Sequence, residues 1–413
     1  MTPNPSGWGA VFLLFGLLTV ASAPAQEPAQ AADSAPLTPE DAVSAALSNH
    51  VALRRADAAV LAADGNRKQS SLFLSNPEFG ADLGVNAQHV EFSVLQPVSL
   101  SGEGLAARRS ATAGLASAES YRDRTRFEVA AGARQAYADA AATHAHVELA
   151  RRSVDLTRRM REGVALKLDV GEGSALDVRL ARMAEATATS MLLDDLEAEA
   201  EALRRLAAVT GSAVSSEQIG VDPLTAAPIP PTAIGDTDRS DVRGAERALA
   251  AAEANLARQR AAALPAISLG VNLESDGAPV IGPAVGIELP LFNRNQAGRS
   301  AASGELAVTE AELNVTRAVA TTEQATARAR HAEAARVVEA LGADLQSDAL
   351  TTLAGIEAGY RAGQFDLPTA VVLQNQVIEG QAAAIDLQRR LAAARIDLLL
   401  ATEHPSLLPG GAR

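Results

Sequence analysis

Residues 79–97, FGADLGVNAQHVEFSVLQP, decide how the chain is read. Phe79, Ala81, Leu83 and Val85 fall on one side of an extended segment, with Gly80, Asp82, Gly84 and Asn86 on the other. Strand side chains alternate with a period of two, so this is a strand with one apolar and one polar face. A second follows at once, with Val90, Phe92 and Val94 opposed by Glu91 and Ser93 and closed by Gln96-Pro97. Upstream, Thr38-Pro39-Glu40-Asp41 starts a helix with a threonine cap, proline in the first turn and early acids. That helix is predicted to run to about Leu74, ahead of Asn76-Pro77. Downstream, an alanine-rich helical pattern runs from about Gly104 to Leu168, roughly 95 Å at 1.5 Å per residue. Val170-Gly171-Glu172-Gly173-Ser174 turns the chain, and a helix returns from Ala175 to about Thr210, capped by Gly211.

The programme then repeats. Ser212 to Asp238, with Pro223, Pro228, Pro230 and Pro231, reads as a connector. A helix from about Arg239 to Leu264 stops at Pro265, and Ile267, Leu269, Val271 and Leu273 alternate with Ser268, Gly270, Asn272 and Glu274. Val285, Ile287, Leu289 and Leu291 then alternate with Gly286, Glu288 and Pro290. A long helix from about Gly298 to Tyr360 turns at Ala362-Gly363-Gln364 and returns to about Thr402. Val170-Gly171 falls on Ala362-Gly363 and Leu206 on Leu398, both 192 residues on, and Gln96-Pro97 falls on Leu289-Pro290, 193 on. The strands fall in register as well, which alanine content alone does not produce, so the chain reads as an internal duplication. The organisation is a leader over 1–25, a polar segment over 26–37, and repeat 1 over 38–211, with strands about 79–86 and 90–96 and a helical hairpin about 104–210. A linker over 212–238 leads to repeat 2 over 239–403, with strands about 266–274 and 284–292 and a hairpin about 298–402; a tail over 404–413 follows.

Composition narrows the function. The chain has 413 residues and a formal charge of −14, an acidic balance that argues against nucleic acid as a partner. Apolar residues make up 47% but aromatics only 3%, so alanine, leucine and valine must build closely packed helices rather than a thick core. Zero cysteine excludes disulfides, thiolate metal sites, a cysteine nucleophile and a lipid-modified N-terminal cysteine. Ala10 to Val20 has the length of a signal-peptide core, followed by Ala21-Ser22-Ala23 and Ala23-Pro24-Ala25 as cleavage patterns. The second is favoured, because the first leaves Pro24 just after the cut; MTPNPSGWG before the run carries no Lys or Arg. No P-loop or HExxH occurs, and Gly102-Glu103-Gly104 lacks the spacing of a dinucleotide loop, so the chain reads as a non-enzyme without a cofactor. His144 and His146 stand about 200° apart on a helix and cannot share a metal.

Alternating strands of about eight residues match those of membrane barrels, which must close and need at least about eight strands. Four cannot close, so three protomers supplying twelve is one reading. A small soluble sheet capping a helical bundle is the other, and only Phe79, Phe92 and Phe292 are aromatic here.

The order of elements, the two hairpin turns (Val170 to Val178 and Ala362 to Phe365) and the run Leu289-Pro290-Leu291-Phe292-Asn293-Arg294-Asn295-Gln296 together resemble the TolC-type outer-membrane efflux proteins. That run looks most like the branch serving cobalt-zinc-cadmium and copper exporters of the resistance-nodulation-division class. The resemblance covers roughly residues 38 to 403. It implies a mainly α protein with a small β part, trimerising into a twelve-stranded outer-membrane β-barrel and a long periplasmic α-helical tunnel. Such a homotrimer is the exit duct for an inner-membrane pump, reached through a periplasmic adaptor and set among outer-membrane lipids, here with heavy-metal cations as the expected substrate. The resemblance places adaptor docking at Val170, Gly171, Glu172, Ala362, Gly363 and Gln364; the plain alternative is a tight helix-to-helix turn. It also gives Asp177 the position of an aspartate that helps to hold the channel closed. Thr369 stands where a second Asp is expected, so Asp366, with Arg361 as partner, is taken to complete the gate. The alternative there is solvated helix-end charge. For the whole chain the rival reading is an exported coiled-coil structural or adaptor protein, although an adaptor carries one hairpin and this chain carries two.

Overall fold

The computed structural model describes residues 36–71, 76–83, 89–98, 101–220, 239–276, 279–341 and 345–410. The expected leader, most of the polar segment after it, linker residues 221–238, the end of the first helix at 72–74 and the end of the first strand at 84–86 lie outside the described residues. The described chain is mostly helical with one antiparallel sheet.

Helix α1 (Pro39–Asn49) opens as its sequence predicts: Thr38 Oγ1 accepts the Asp41 N–H, and Asp41 Oδ2 accepts the Thr38 N–H, each at 3.1 Å. The single helix expected to reach Leu74 is instead two. His50 is extended (φ −68°, ψ 129°), and its Nδ1 accepts the N–H of Ala52 at the start of α2 (Val51–Ser71). Neither proline nor glycine marks the break. It brings the Asn49 side chain onto Thr210 O (3.0 Å), against a left-handed Gly211 (φ 73°) where an added Cβ would lie 2.9 Å from that of Asn49.

Strands β1 (Glu78–Leu83), β2 (His89–Val98), β3 (Ala266–Asp276) and β4 (Pro279–Glu288) form an antiparallel sheet in chain order. Its register is governed by the alternation seen in the sequence. Phe79, Val94, Val271 and Pro283 form one cross-strand row and Ala81, Phe92, Leu273 and Ile281 another, on the same face. Gly80, Ser93, Asn272 and Gly282 form a row on the opposite face. Gly270 is there because β2 and β3 approach closely: an added Cβ would lie 1.9 Å from Val94 O. The fourth strand lies earlier than expected. Pro290 has no N–H to give a ladder and Leu291 N–H bonds Leu289 O (2.9 Å), so Leu289 and Leu291 fall beyond the strand. Pro279 and Pro283 lie on β4, which within one chain pairs on one side only.

Helix α3 (Glu103–Asp169) is the spine, about 100 Å long. Helices α1, α2, α4 (Ala175–Thr210), α5 (Ser240–Ala261) and α8 (Leu367–Ala401) all pack on it. The expected long helix of the second half is described as α6 (Gln296–Leu341) and α7 (Leu345–Arg361), both packed on α8. Contacts along α3 are close because its side chains are small: Ser110 and Ser117 donate to Ala251 O and Gly244 O of α5 (2.9 and 2.8 Å). In mid-chain Ala42, Ala138, Ala140, Ala141, Ala142 and Ala202 surround one large residue, Tyr137, whose hydroxyl donates to Leu37 O (2.6 Å). Alanine thus sets the distance between helix axes, and this accounts for a long α protein with so few aromatics.

Candidate functional site: the sheet face and the hairpin ends

The sheet is inside out for a soluble domain. On its apolar face Phe79 is 79% exposed, Val271 51%, Ile281 73% and Val285 66%. The opposite face is mostly glycine, serine, asparagine and acid, with Leu95, Val280 and Ala284 among them, and Asn272 Nδ2 donates to Glu91 Oε1 (3.3 Å). Among the described residues no helix is packed against either face of the sheet. Within one chain β1 and β4 each pair on one side only. An exposed apolar face with two open edges is aggregation-prone in water; in lipid the face is solvated, but the edges must still be paired. The run after β4 ends in two marked residues. Phe292 is 95% exposed, and Asn295 takes a left-handed φ of 56° with its Nδ2 donating to Gln259 O and Oε1 (3.0 and 2.7 Å), which anchors the start of α6 to the end of α5.

At the far end of the hairpins the two turns have the same geometry. Gly171 (φ 81°) and Gly363 (φ 68°) take the left-handed conformation that glycine adopts without strain. Glu172 N–H bonds Lys167 O (2.8 Å) and Gln364 N–H bonds Gly359 O (2.9 Å), five residues back in each case. The returning helices are capped alike: Ser174 Oγ accepts the Leu176 N–H (3.1 Å), and Asp366 Oδ1 accepts the Thr369 N–H (3.0 Å). A shared apolar cluster of Met160 and Val164 (α3), Ala181 (α4), Ile356 (α7), and Leu367 and Ala370 (α8) places both turns at one end. All six residues expected to dock an adaptor are exposed there: Val170, Gly171, Glu172, Ala362, Gly363 and Gln364.

The expected gate charges are not brought together as a set. Arg361 pairs with Glu357 one turn back on α7, and Asp366 is the N-cap of α8. Hydrogen bonds from the Thr369 side chain and backbone hold the Asp366 carboxyl below the usual carboxylate range. Each charge takes a partner four residues away or fewer, so the Arg361–Asp366 pairing does not form within the chain. Asp177 is close enough for its charge to act on Tyr360. Burial pushes the Tyr360 phenol up, and the negative charge of Asp177 adds to that shift across the space between α4 and α7. Lys167 Nζ lies 4.6 Å from the Tyr360 ring centroid, which adds a cation–π contact from α3. Lys167 and Tyr360 therefore join the two hairpins at their ends, with the charge of Asp177 nearby. Tyr360 is one of three tyrosines in the chain and directly precedes a turn, a signal that was available in the sequence.

No protein-family model matches the chain, and no curated protein matches its sequence. Solved structures do match its fold. A membrane protein from Pseudomonas aeruginosa aligns at 21% identity with a TM-score of 0.71, covering 88% of this chain and 92% of that one. CusC, studied for transmembrane channel formation, aligns at 19% identity with a TM-score of 0.69 over 88% of this chain and 91% of its own. The Campylobacter jejuni outer membrane channel CmeC aligns at 14% identity with a TM-score of 0.73 over 89% of this chain and 88% of its own. At these identities the likeness is one of fold, and it spans nearly the whole described chain.

Proposed function

We propose that the chain is the exit duct of a tripartite efflux system, a homotrimer whose sheets close into a twelve-stranded barrel in the outer membrane above a periplasmic tunnel of helices. The exposed apolar face of the sheet carries this reading. A four-stranded sheet with that face and two open edges cannot stand alone in lipid, and three copies reach the size at which a barrel closes. The channel-like fold supports it across most of the chain. The absence of cysteine fits anchoring by the barrel itself rather than by an N-terminal lipid.

Substrate passes without chemistry, delivered by an inner-membrane pump through a periplasmic adaptor that docks on the exposed turns around Gly171 and Gly363. Asp177, Tyr360 and Lys167 latch the hairpin ends and constrict the entrance, replacing the Asp366 and Arg361 partnership. Heavy-metal cations are the proposed cargo, on the resemblance of residues 289–296 and the charge of −14, which favours cations in the lumen. Loss of the chain is expected to raise sensitivity to such cations.

The purified protein in planar bilayers tests both conduit and latch. Discrete conductance steps are expected, and Asp177→Asn, which removes the charge near Tyr360, is expected to raise single-channel conductance severalfold. No conductance rejects the duct; steps left unchanged by Asp177→Asn reject the latch alone.

A further inference from the structure

Two histidines in the middle of α3 have no part in the conduit described above. His144 Nδ1 lies 2.7 Å from Glu199 Oε1 on α4, and Glu199 is buried. His146 Nε2 lies 3.6 Å from Asp386 Oδ1 on α8. Helices α3 and α4 form one hairpin, whereas α8 belongs to the other, so the His146 contact crosses between them.

Around His146, Asp386 of α8 lies at 3.6 Å with Arg389 beside it, Asp195 of α4 feels its charge with Asp194 beside it, and Glu199 of α4 engages His144 instead. Arg389 already bridges Asp139 and Asp386 (3.3 and 3.5 Å). Burial pushes the Asp195 carboxyl up, and the nearby His146 works against that shift.

We infer that His146 and Asp386 form a pH-operated clasp between the two hairpins, engaged while the imidazole carries its second proton. At 3.6 Å the contact is beyond a good hydrogen bond and rests on charge, so a neutral imidazole contributes little. The clasp therefore holds on the acid side of the imidazole titration and releases on the alkaline side. Imidazole is the side chain whose charge ordinarily changes between about pH 5 and 8, so that interval is the one to compare. His144 differs, because a neutral ring still donates Nδ1–H to Glu199 and keeps α3 on α4 throughout.

Hydrogen exchange read by mass spectrometry on the full chain in detergent, corrected for the intrinsic pH dependence of exchange, tests this without requiring that the protein conduct. In the unsubstituted chain, amides of α8 around Asp386 are expected to exchange about two- to five-fold more slowly at the acid end of that interval, the size of a part-exposed ion pair. His146→Gln and Asp386→Asn should each erase the step, His146→Arg should keep exchange slow at both ends, and His144→Gln should retain the step. A full step in His146→Gln, or one in His146→Arg, overturns the clasp.

Discussion

The Arg239→Ala variant is expected to lose about 3 kcal/mol of stability, the scale on which a buried ion pair is broken by removing one partner. Arg239 is 3% exposed at the start of α5. Its Nε and Nη2 donate to Asp241 (3.0 and 2.5 Å), and Nη1 donates to Glu323 of α6 (2.6 Å). Removing the guanidinium leaves two carboxylates facing each other in a part-buried junction. Next to it, Glu403 Oε2 accepts both the N–H and the hydroxyl of Ser240 (2.8 and 2.6 Å), so the end of α8 caps the start of α5. Glu403 does this in a left-handed conformation (φ 47°), at the position 192 residues after Gly211. A side chain is retained at a site suited to glycine because its carboxylate is the cap. Urea unfolding of the full chain checks the prediction, with Arg239→Lys expected to fall between the parent and Arg239→Ala. An unchanged midpoint would show that the junction is solvated. The same junction gives an acid limb. Burial opposes the Asp241 carboxylate, but Arg239 overcomes it and holds the carboxyl below its ordinary value of 3.8. A group with a depressed folded pKa stabilises fully above its unfolded value and loses that contribution as pH falls through the folded one, so this stabilisation fades below about pH 4.

The second large effect follows from the proposed barrel and concerns which face of its sheet would meet lipid. Val271→Arg places a cation in the middle of the apolar face, where such a substitution in a membrane barrel costs about 2–4 kcal/mol per chain. Repeated in each protomer, that abolishes stable insertion. Asn272→Arg, one residue along, turns to the polar face beside Glu91 and is expected to leave insertion intact. Outer-membrane yield of the two variants decides the matter, and equal yields would mean that the faces are not distinguished by lipid.

The strands, the long hairpins and both turns are legible in the sequence because each is written locally: alternation for strands and glycine where φ must be positive. What escaped depends on residues far apart in the chain. The break at His50 has no local breaker and coincides with the reach of Asn49 to Thr210, 161 residues away. The Arg239 junction joins residues separated by 84 and 163 positions, and no spacing rule points to it. The fourth strand ends earlier than its alternation implies, because Leu289 and Leu291 continue an apolar alternation that Pro290 prevents from pairing. At the hairpin ends charge alone pointed to Arg361 and Asp366. Helix geometry gives each a closer partner, while Tyr360, an aromatic, carries Lys167 over its ring and feels the charge of Asp177.

The central claim is that a four-stranded sheet becomes a barrel only by assembly. Light scattering of the full chain, extracted from the outer-membrane fraction in mild detergent, measures this directly. The account predicts a particle of three chains that heating in denaturing detergent separates. A monomer recovered from the soluble fraction would contradict it.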